Sequence, residues 1–311
     1  MHRSRRIVFT PRTRYKSSVP EPAIRLEQLT KFFPPALSGW RAFAQPFATA
    51  TAPALTGVTL EVREGEAVAL LGANGAGKST LLKILATLLL PTTGSARLAG
   101  SDVTKDSSRV RSQLGYHAGT DHGFYPRLSA RQNLLFFGRL NQLAPATANE
   151  RIAALTKQFV LEAALGRQVR TLSTGTVQRL SLVRALLHKP RVLLLDEPTR
   201  SLDAVAAAEF RRFLKTEILK SGQTSILFAS HTLAEVELLA DRVAIIDRGK
   251  LLAFDTPAAL KSYTSSETME DVFLRITGHA ATAAEIPDSV TYSSARHPSG
   301  NPTKNSEDDP A

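Results

Sequence analysis

The stretch Ala67-Val68-Ala69-Leu70-Leu71-Gly72-Ala73-Asn74-Gly75-Ala76-Gly77-Lys78-Ser79-Thr80-Leu81-Leu82-Lys83-Ile84-Leu85 decides the fold. It reads as a buried strand, a glycine turn and the start of a helix. In that setting G-x-x-x-x-G-K-[ST] forms a phosphate cradle. Glycines at 72, 75 and 77 let the backbone take positive φ and turn N–H groups toward phosphate oxygens. A helix beginning near Lys78 adds its positive end to the same spot. In such a loop the lysine, here Lys78, bridges the β- and γ-phosphates, and the hydroxyl of Ser79 ligates Mg²⁺.

More than a hundred residues on, Val192-Leu193-Leu194-Leu195-Asp196-Glu197-Pro198 reads as a second buried strand, ending in two carboxylates. Asp196 is placed to hold the metal and Glu197 to prepare a water. Around these two anchors, Ala23 to Leu29 and Leu55 to Val62 alternate as strands, and Ser95 to Leu98 reads as an edge strand. Apolar residues at helical spacing over Leu128–Leu143 and Ala148–Leu165 predict a helical subdomain at about 124–188. Ser225–Ala229 reads as a short strand, and Val243–Asp247 with Lys250–Phe254 as a hairpin turning at Arg248-Gly249. The segment 34–53 is an inserted loop rich in Pro and Ala that carries Trp40, Phe43 and Phe47. Residues 279–311 lack periodicity and predict a disordered tail. No internal repeat is present, and there is one phosphate loop.

At 311 residues, 43% hydrophobic and 22% charged, the chain is long enough for one large domain or two small ones. With no cysteine, a disulfide framework, a thiolate nucleophile and a Cys-ligated metal are excluded. The seven histidines are scattered; the nearest pair, His117 and His122, reads as surface-loop residues rather than metal ligands. No run of eighteen apolar residues exists, and Leu81–Leu90 is interrupted by Lys83 and stopped at Pro91, so it reads as a buried helix. Any membrane role therefore calls for another chain. The net charge of +11 is uneven, because residues 1–16 hold six basic residues and no acid. A basic arm over 1–21 is open to anionic lipid, to nucleic acid, to an organelle transit role or to life as a solvated tail.

Three further elements lie at telling positions: Leu172-Ser173-Thr174-Gly175-Thr176-Val177-Gln178 opening a helix, Ser201-Leu202-Asp203, and His231 behind a strand. In order and spacing, these and the two anchors resemble the ATP-binding subunits of ABC transporters over about residues 22–278. The resemblance implies an α/β, P-loop NTPase ABC ATPase fold with a RecA-like core, an antiparallel β subdomain and an inserted α-helical subdomain. Position by position, it implies that Gly72, Ala73, Asn74, Gly75, Ala76, Gly77, Lys78, Ser79 and Thr80 bind the nucleotide phosphates. Glu197 then polarises the attacking water, and His231 contacts the γ-phosphate. Ser173 and Gly175 reach the γ-phosphate bound by the other protomer, and Asp203 matches the family's D-loop as a further nucleotide-binding residue. Phe33, with Phe32 as fallback, stacks on adenine; the competing reading of Phe33 is a core aromatic.

This chain departs from the family pattern in the loop after Leu114-Gly115-Tyr116, which lacks the usual glutamine and reads His117-Ala118-Gly119-Thr120-Asp121-His122-Gly123. Asp121 is the candidate for the missing oxygen ligand, beside Ser79 and Asp196. Thr-Gly-Thr at 174–176, the Asp121 loop, Glu197–Asp203 and Glu270-Asp271-Val272-Phe273 look like the exporter branch. The resemblance implies ATP and Mg²⁺ as cofactors, a second ATP-binding subunit as partner, most simply a second copy, and an integral membrane permease. It implies a peripheral position on the cytoplasmic face of the membrane, with permease helices docked near 117–123 and 166–172, and no nucleic-acid partner. A soluble ATPase acting on ribosomes or nucleic acid, and a module that binds ATP without hydrolysing it, are the rivals.

Overall fold

The computed structural model describes residues 21–33, 53–119, 123–200 and 202–278. The readings of the basic arm up to residue 20, of the insert over 34–52, of Asp121 and His122, and of the tail 279–311 lie outside the described residues.

Strands β1 (Ile24–Phe32), β2 (Pro53–Val62), β4 (Thr93–Leu98) and β5 (Ser101–Asp102) form an antiparallel sheet in the order β2-β1-β4-β5. Ser95–Leu98 is therefore not the edge. It is flanked by β1 and by the two-residue β5, which is too short to leave an alternation in the sequence. The second sheet runs β10-β9-β3-β8-β7-β6, from β3 (Ala67–Leu71), β6 (Leu114–His117), β7 (Val192–Asp196), β8 (Ser225–Ser230), β9 (Arg242–Asp247) and β10 (Lys250–Asp255). All neighbours in it are parallel except β10 on β9. That hairpin turns through Arg248 (φ 45°) and Gly249 (φ 76°), the pair of positive angles a two-residue turn needs.

Helix α1 (Lys78–Leu85) follows β3, and α2 (Ser107–Gln113) precedes β6. Between β6 and β7 the chain makes α3 (Ala130–Leu140), α4 (Pro145–Gln158) and α5 (Thr174–Leu186). Beyond β7 come α6 (Ala204–Phe213), α7 (Leu233–Leu239), α8 (Pro257–Thr264) and α9 (Met269–Thr277).

The apolar runs of β3, β7, β8 and β9 carry no polar alternation because both faces of the sheet are covered. Val68, Leu70, Leu194, Leu227 and Ile246 point into a core shared with α1 and the antiparallel sheet. Their neighbours Ala69, Leu71, Leu193, Phe228 and Ile245 point into a second core with the helices α3–α9. Each fully buried Leu, Ile or Phe here contributes about 1.5–3 kcal/mol. Two strand registers then place the chemistry. Leu71 lies beside Ser230 and Asp196 beside Ala229, so β3, β7 and β8 end on one rim. The carboxyl rim of a parallel sheet is where ligands of open α/β folds bind.

Candidate functional site

The loop after β3 is held by backbone. Ala76 N–H donates to Ala73 C=O at 3.1 Å, and Gly249 N–H donates to Ala76 C=O at 2.9 Å. A Cβ on Gly77 (φ 109°) would sit 2.5 Å from the Ala54 carbonyl oxygen, so the position admits glycine only. Gly75 (φ 80°) differs, because a Cβ there would meet nothing within 4 Å. It borders open space next to exposed Ala73 and Asn74. Gly77 caps α1 without a side-chain hydrogen bond, which leaves the first-turn N–H groups to an anion. These features fit a phosphate group.

Lys78 is 5% exposed, and its Nζ donates to the carbonyls of Gly72 (2.7 Å) and Ala73 (3.0 Å). Burial lowers its pKa, while the charges of Glu197 and Asp196 oppose that shift. Asp196, at the end of β7, is buried, which raises its pKa. Ser79, Lys78 and Lys83 favour its charged form. A hydroxyl and a carboxylate beside a phosphate cradle are the sparse donor set of a Mg²⁺ that keeps waters and substrate phosphates as its other ligands.

Glu197 follows in the left-handed region, with φ 48°. Its N–H still donates to Ala229 C=O (3.0 Å), which extends the β7–β8 pairing by one residue while the side chain is thrown off the strand. One carboxylate oxygen lies 3.3 Å from His231 Nδ1 and the other 3.3 Å from Arg200 Nη1. The residues flanking His231 are fixed by side-chain bonds. Buried Glu235 accepts from Ser230 Oγ at 2.8 Å, pairs with Arg211 at 3.5 Å and accepts from Thr199 Oγ1. Lys78, Ser79, Asp196, Glu197 and His231 are thus gathered on one rim.

The remaining predicted residues stand apart from that group. Ser173 is the exposed N-cap of α5, with Oγ 2.8 Å from Thr176 Oγ1, and Gly175 lies in the first turn. Asp203 is the exposed N-cap of α6 and accepts from Ala206 N–H at 2.9 Å. Their hydrogen bonds remain within their own helix starts. Phe33 is 45% exposed, with Lys31 Nζ 5.2 Å from its ring, so the core-aromatic reading fails. Phe32 is 39% exposed.

His117 is no surface-loop residue. It ends β6 fully buried, its Nδ1 3.1 Å from Ser181 Oγ of α5. Burial, with the Arg184 charge nearby, pushes its pKa down to about 3. Its side chain cannot be part of a docking surface. Two residues on, a Cβ on Gly119 would lie 2.3 Å from Asp196 O, and Gly119 C=O accepts from Gln178 of α5 (3.1 Å). The segment leading to Asp121 therefore passes against the backbone carbonyl of Asp196. Sequence reasoning missed His117, Gln178 and Arg200. Only Arg200, three residues beyond Glu197, carried a signal in its spacing.

The sequence matches the family model described as ABC transporter over residues 55–200. It is 38% identical over 219 residues to the ABC transporter ATP-binding protein NatA of Bacillus subtilis (strain 168), which covers 70% of this chain and 87% of that one. It is 38% identical over 236 residues to the daunorubicin resistance ATP-binding protein DrrA3 of Streptomyces coeruleorubidus, covering 75% and 72% of the two chains. Among solved structures it resembles one described as the ATP binding subunit of an ABC transporter, with a TM-score of 0.71, 25% identity and coverage of 82% and 99%.

Proposed function

The chain belongs to the ABC transporter family as an ATP-binding, ATP-hydrolysing subunit, and we propose that it powers export through a separate membrane permease, as one of two copies that close on ATP. The observation that carries this reading is the rim where Lys78, the Ser79–Asp196 pair and Glu197, in hydrogen-bond range of His231, come together. The likeness to a daunorubicin resistance protein supports export. Among the described residues no helix is long and apolar enough to cross a membrane, and we assign the crossing to the permease and this chain to the cytoplasmic face. In this reading residues 22–278 are the ATP-binding domain, with the helical subdomain at about 124–188, between a basic arm and a C-terminal tail.

Each residue has a task. The loop Gly72–Thr80 wraps the phosphates with backbone N–H groups, and Lys78 exchanges its two carbonyl partners for phosphate oxygens. Phe33, with Phe32 as the alternative, stacks on adenine. Ser79 and Asp196 would hold Mg²⁺, with Asp121 as a further ligand. When bound, such an ion would supply positive charge against the charge that develops on the phosphoryl group. Glu197 accepts a hydrogen bond from the attacking water and aligns it, and His231 fixes the carboxylate and meets the γ-phosphate. Ser173 and Asp203, exposed at two helix starts, and half-buried Gly175 complete the site of the other copy. Moving such a pair from 1% to 99% closed requires ATP to favour the closed state by about 5.5 kcal/mol.

The test is Glu197→Gln. Equilibrium binding of ATP is retained, turnover falls at least about a hundredfold, and sedimentation shows an ATP-trapped dimer. A variant that hydrolyses near the wild-type rate removes Glu197 from its role.

A further inference from the structure

Glu235 is a buried carboxylate to which the function above gives no task. It lies in the first turn of α7 and is 2% exposed, yet three parts of the chain converge on it. One oxygen accepts from Oγ of Ser230, the last residue of β8, at 2.8 Å. The other accepts from Thr199 Oγ1, in the turn after β7, and lies 3.5 Å from Arg211 Nη1 of α6. Each partner belongs to a segment that carries a predicted site residue. Ser230 precedes His231, and its Oγ also accepts from Thr232 N–H at 2.9 Å, so both flanks of the histidine are tied. Thr199 lies two residues beyond Glu197, in a turn closed by Arg200 N–H on Glu197 C=O (3.2 Å) and Leu202 N–H on Thr199 C=O (3.0 Å). Arg211 is on the helix that Asp203 caps.

The direct contacts within the site are weaker than this support. Glu197 meets His231 and Arg200 at 3.3 Å each, and those two side chains are 56% and 69% exposed. Exposed pairs of this kind hold a geometry poorly, because water and salt compete for both partners. A hydroxyl that donates to a carboxylate shielded from water holds it well. Glu197 is also in the left-handed region, at φ 48°, a conformation that persists when the surroundings over-determine it. Two bonds supply that constraint: Glu197 N–H on Ala229 C=O (3.0 Å) from one side, and Thr199 on Glu235 from the other. One runs to β8 and the other to the helix that follows it, so the turn after β7 is fastened to the stretch that carries His231.

We propose that Glu235 is a positioning residue for ATP hydrolysis: it clamps the turn after β7 to the end of β8 and so sets the distance between Glu197 and His231. This rests on the reading above, in which Glu197 aligns the water, and names the group that keeps the two side chains in place. Buried as it is, Glu235 acts through Thr199 and Ser230 rather than on the nucleotide. Its effect is on turnover, since displacing a reacting group by about 1 Å lowers a rate on the order of a hundredfold. Its three partners lie outside the phosphate loop and α1, so ATP affinity is left alone. The clamp requires hydrogen-bond geometry rather than charge: an amide in its place accepts from one hydroxyl and donates to the other.

The test measures kcat and KM for Mg·ATP on the full-length chain, with the thermal midpoint of each variant alongside. Thr199→Val removes one hydroxyl and keeps the side-chain outline, Glu235→Ala removes the clamp, and Glu235→Gln rebuilds its hydrogen bonds without the charge. The expected kcat is down about tenfold in Thr199→Val and further in Glu235→Ala, with KM within about twofold of the wild type, and Glu235→Gln recovers at least about half of the wild-type kcat. Thr199→Val placed on Glu197→Gln lowers the residual rate by less than about twofold, because the group it positions is already gone. The proposal is overturned by a Thr199→Val variant at wild-type kcat, by a rise in KM with kcat unchanged, or by Glu235→Gln no faster than Glu235→Ala. It is equally overturned if Thr199→Val slows Glu197→Gln as much as it slows the wild type. Should Glu235→Ala fail to fold, Thr199→Val and the double variant decide. Failure of the underlying reading shows separately, as Glu197→Gln turning over at the wild-type rate.

Discussion

Lowering the pH from 7 to 5 charges an ordinary imidazole, and His117 resists it. Its pKa is held at about 3 against the usual 6.5, chiefly because it is buried and secondarily because Arg184 lies near. Nδ1 has Ser181 as partner, while Nε2 is buried without a hydrogen bond among the described residues. Between the two pKa values the unfolded chain binds the proton and the folded chain refuses it. The sign follows: this stability is fully present above pH 6.5 and is lost as pH falls toward 3. One pKa unit is about 1.4 kcal/mol, so the move from pH 7 to 5 should cost about 2 kcal/mol through His117 alone. His188, also pushed down chiefly by burial, adds in the same direction. Comparison with His117→Asn isolates the effect, since asparagine retains a hydrogen-bonding side chain and does not titrate. Urea unfolding of both proteins at pH 7 and pH 5 gives the measurement. The wild type should lose about 2 kcal/mol more than the variant over that interval. Equal losses would refute the burial argument.

Gly77→Ala and Gly75→Ala should separate fold from ligand. Gly77→Ala meets the Ala54 carbonyl oxygen at 2.5 Å and should lower the thermal midpoint sharply, whereas Gly75→Ala should cost about 1 kcal/mol in urea unfolding and weaken ATP binding in a titration, because its methyl group points into the open cradle. Ser173→Ala removes an N-cap and should cost about 1 kcal/mol of stability. It should leave ATP binding to the isolated chain intact and strongly reduce ATPase activity, and a variant with normal turnover would take Ser173 out of the shared site. Specific ATPase activity should fall on dilution of the wild type, and a rate per chain independent of concentration would argue against a two-copy site.

Much of the architecture was legible because long parallel strands and a glycine loop leave unmistakable patterns. Val192–Asp196 and Ser225–Ser230 are covered on both faces and read as unbroken apolar runs. What escaped was set by tertiary contact. The two-residue β5 has no period to detect, so β4 reads as an edge in the sequence. His117 follows Gly-Tyr and precedes Ala-Gly, a context that suggests a loop. Only its pairing opposite Leu195 draws it into the interior. Phe33 carried a real ambiguity between core and surface that burial alone could resolve. At the site, Arg200 had a trace in the sequence, three residues beyond Glu197, but the pairing of His231 with Glu197 had none, because it joins the end of β8 to the end of β7.

The twist at Glu197 has a consequence for anyone seeking a hardier protein. A side chain with a Cβ at φ 48° costs roughly 1–3 kcal/mol, a tension that glycine would release and asparagine would bear more easily. Selection for heat tolerance alone should therefore drift toward replacing this residue and would enrich robust, inert protein. Keeping a functional assay inside the screen is the only way to hold the chain in its less comfortable, working shape.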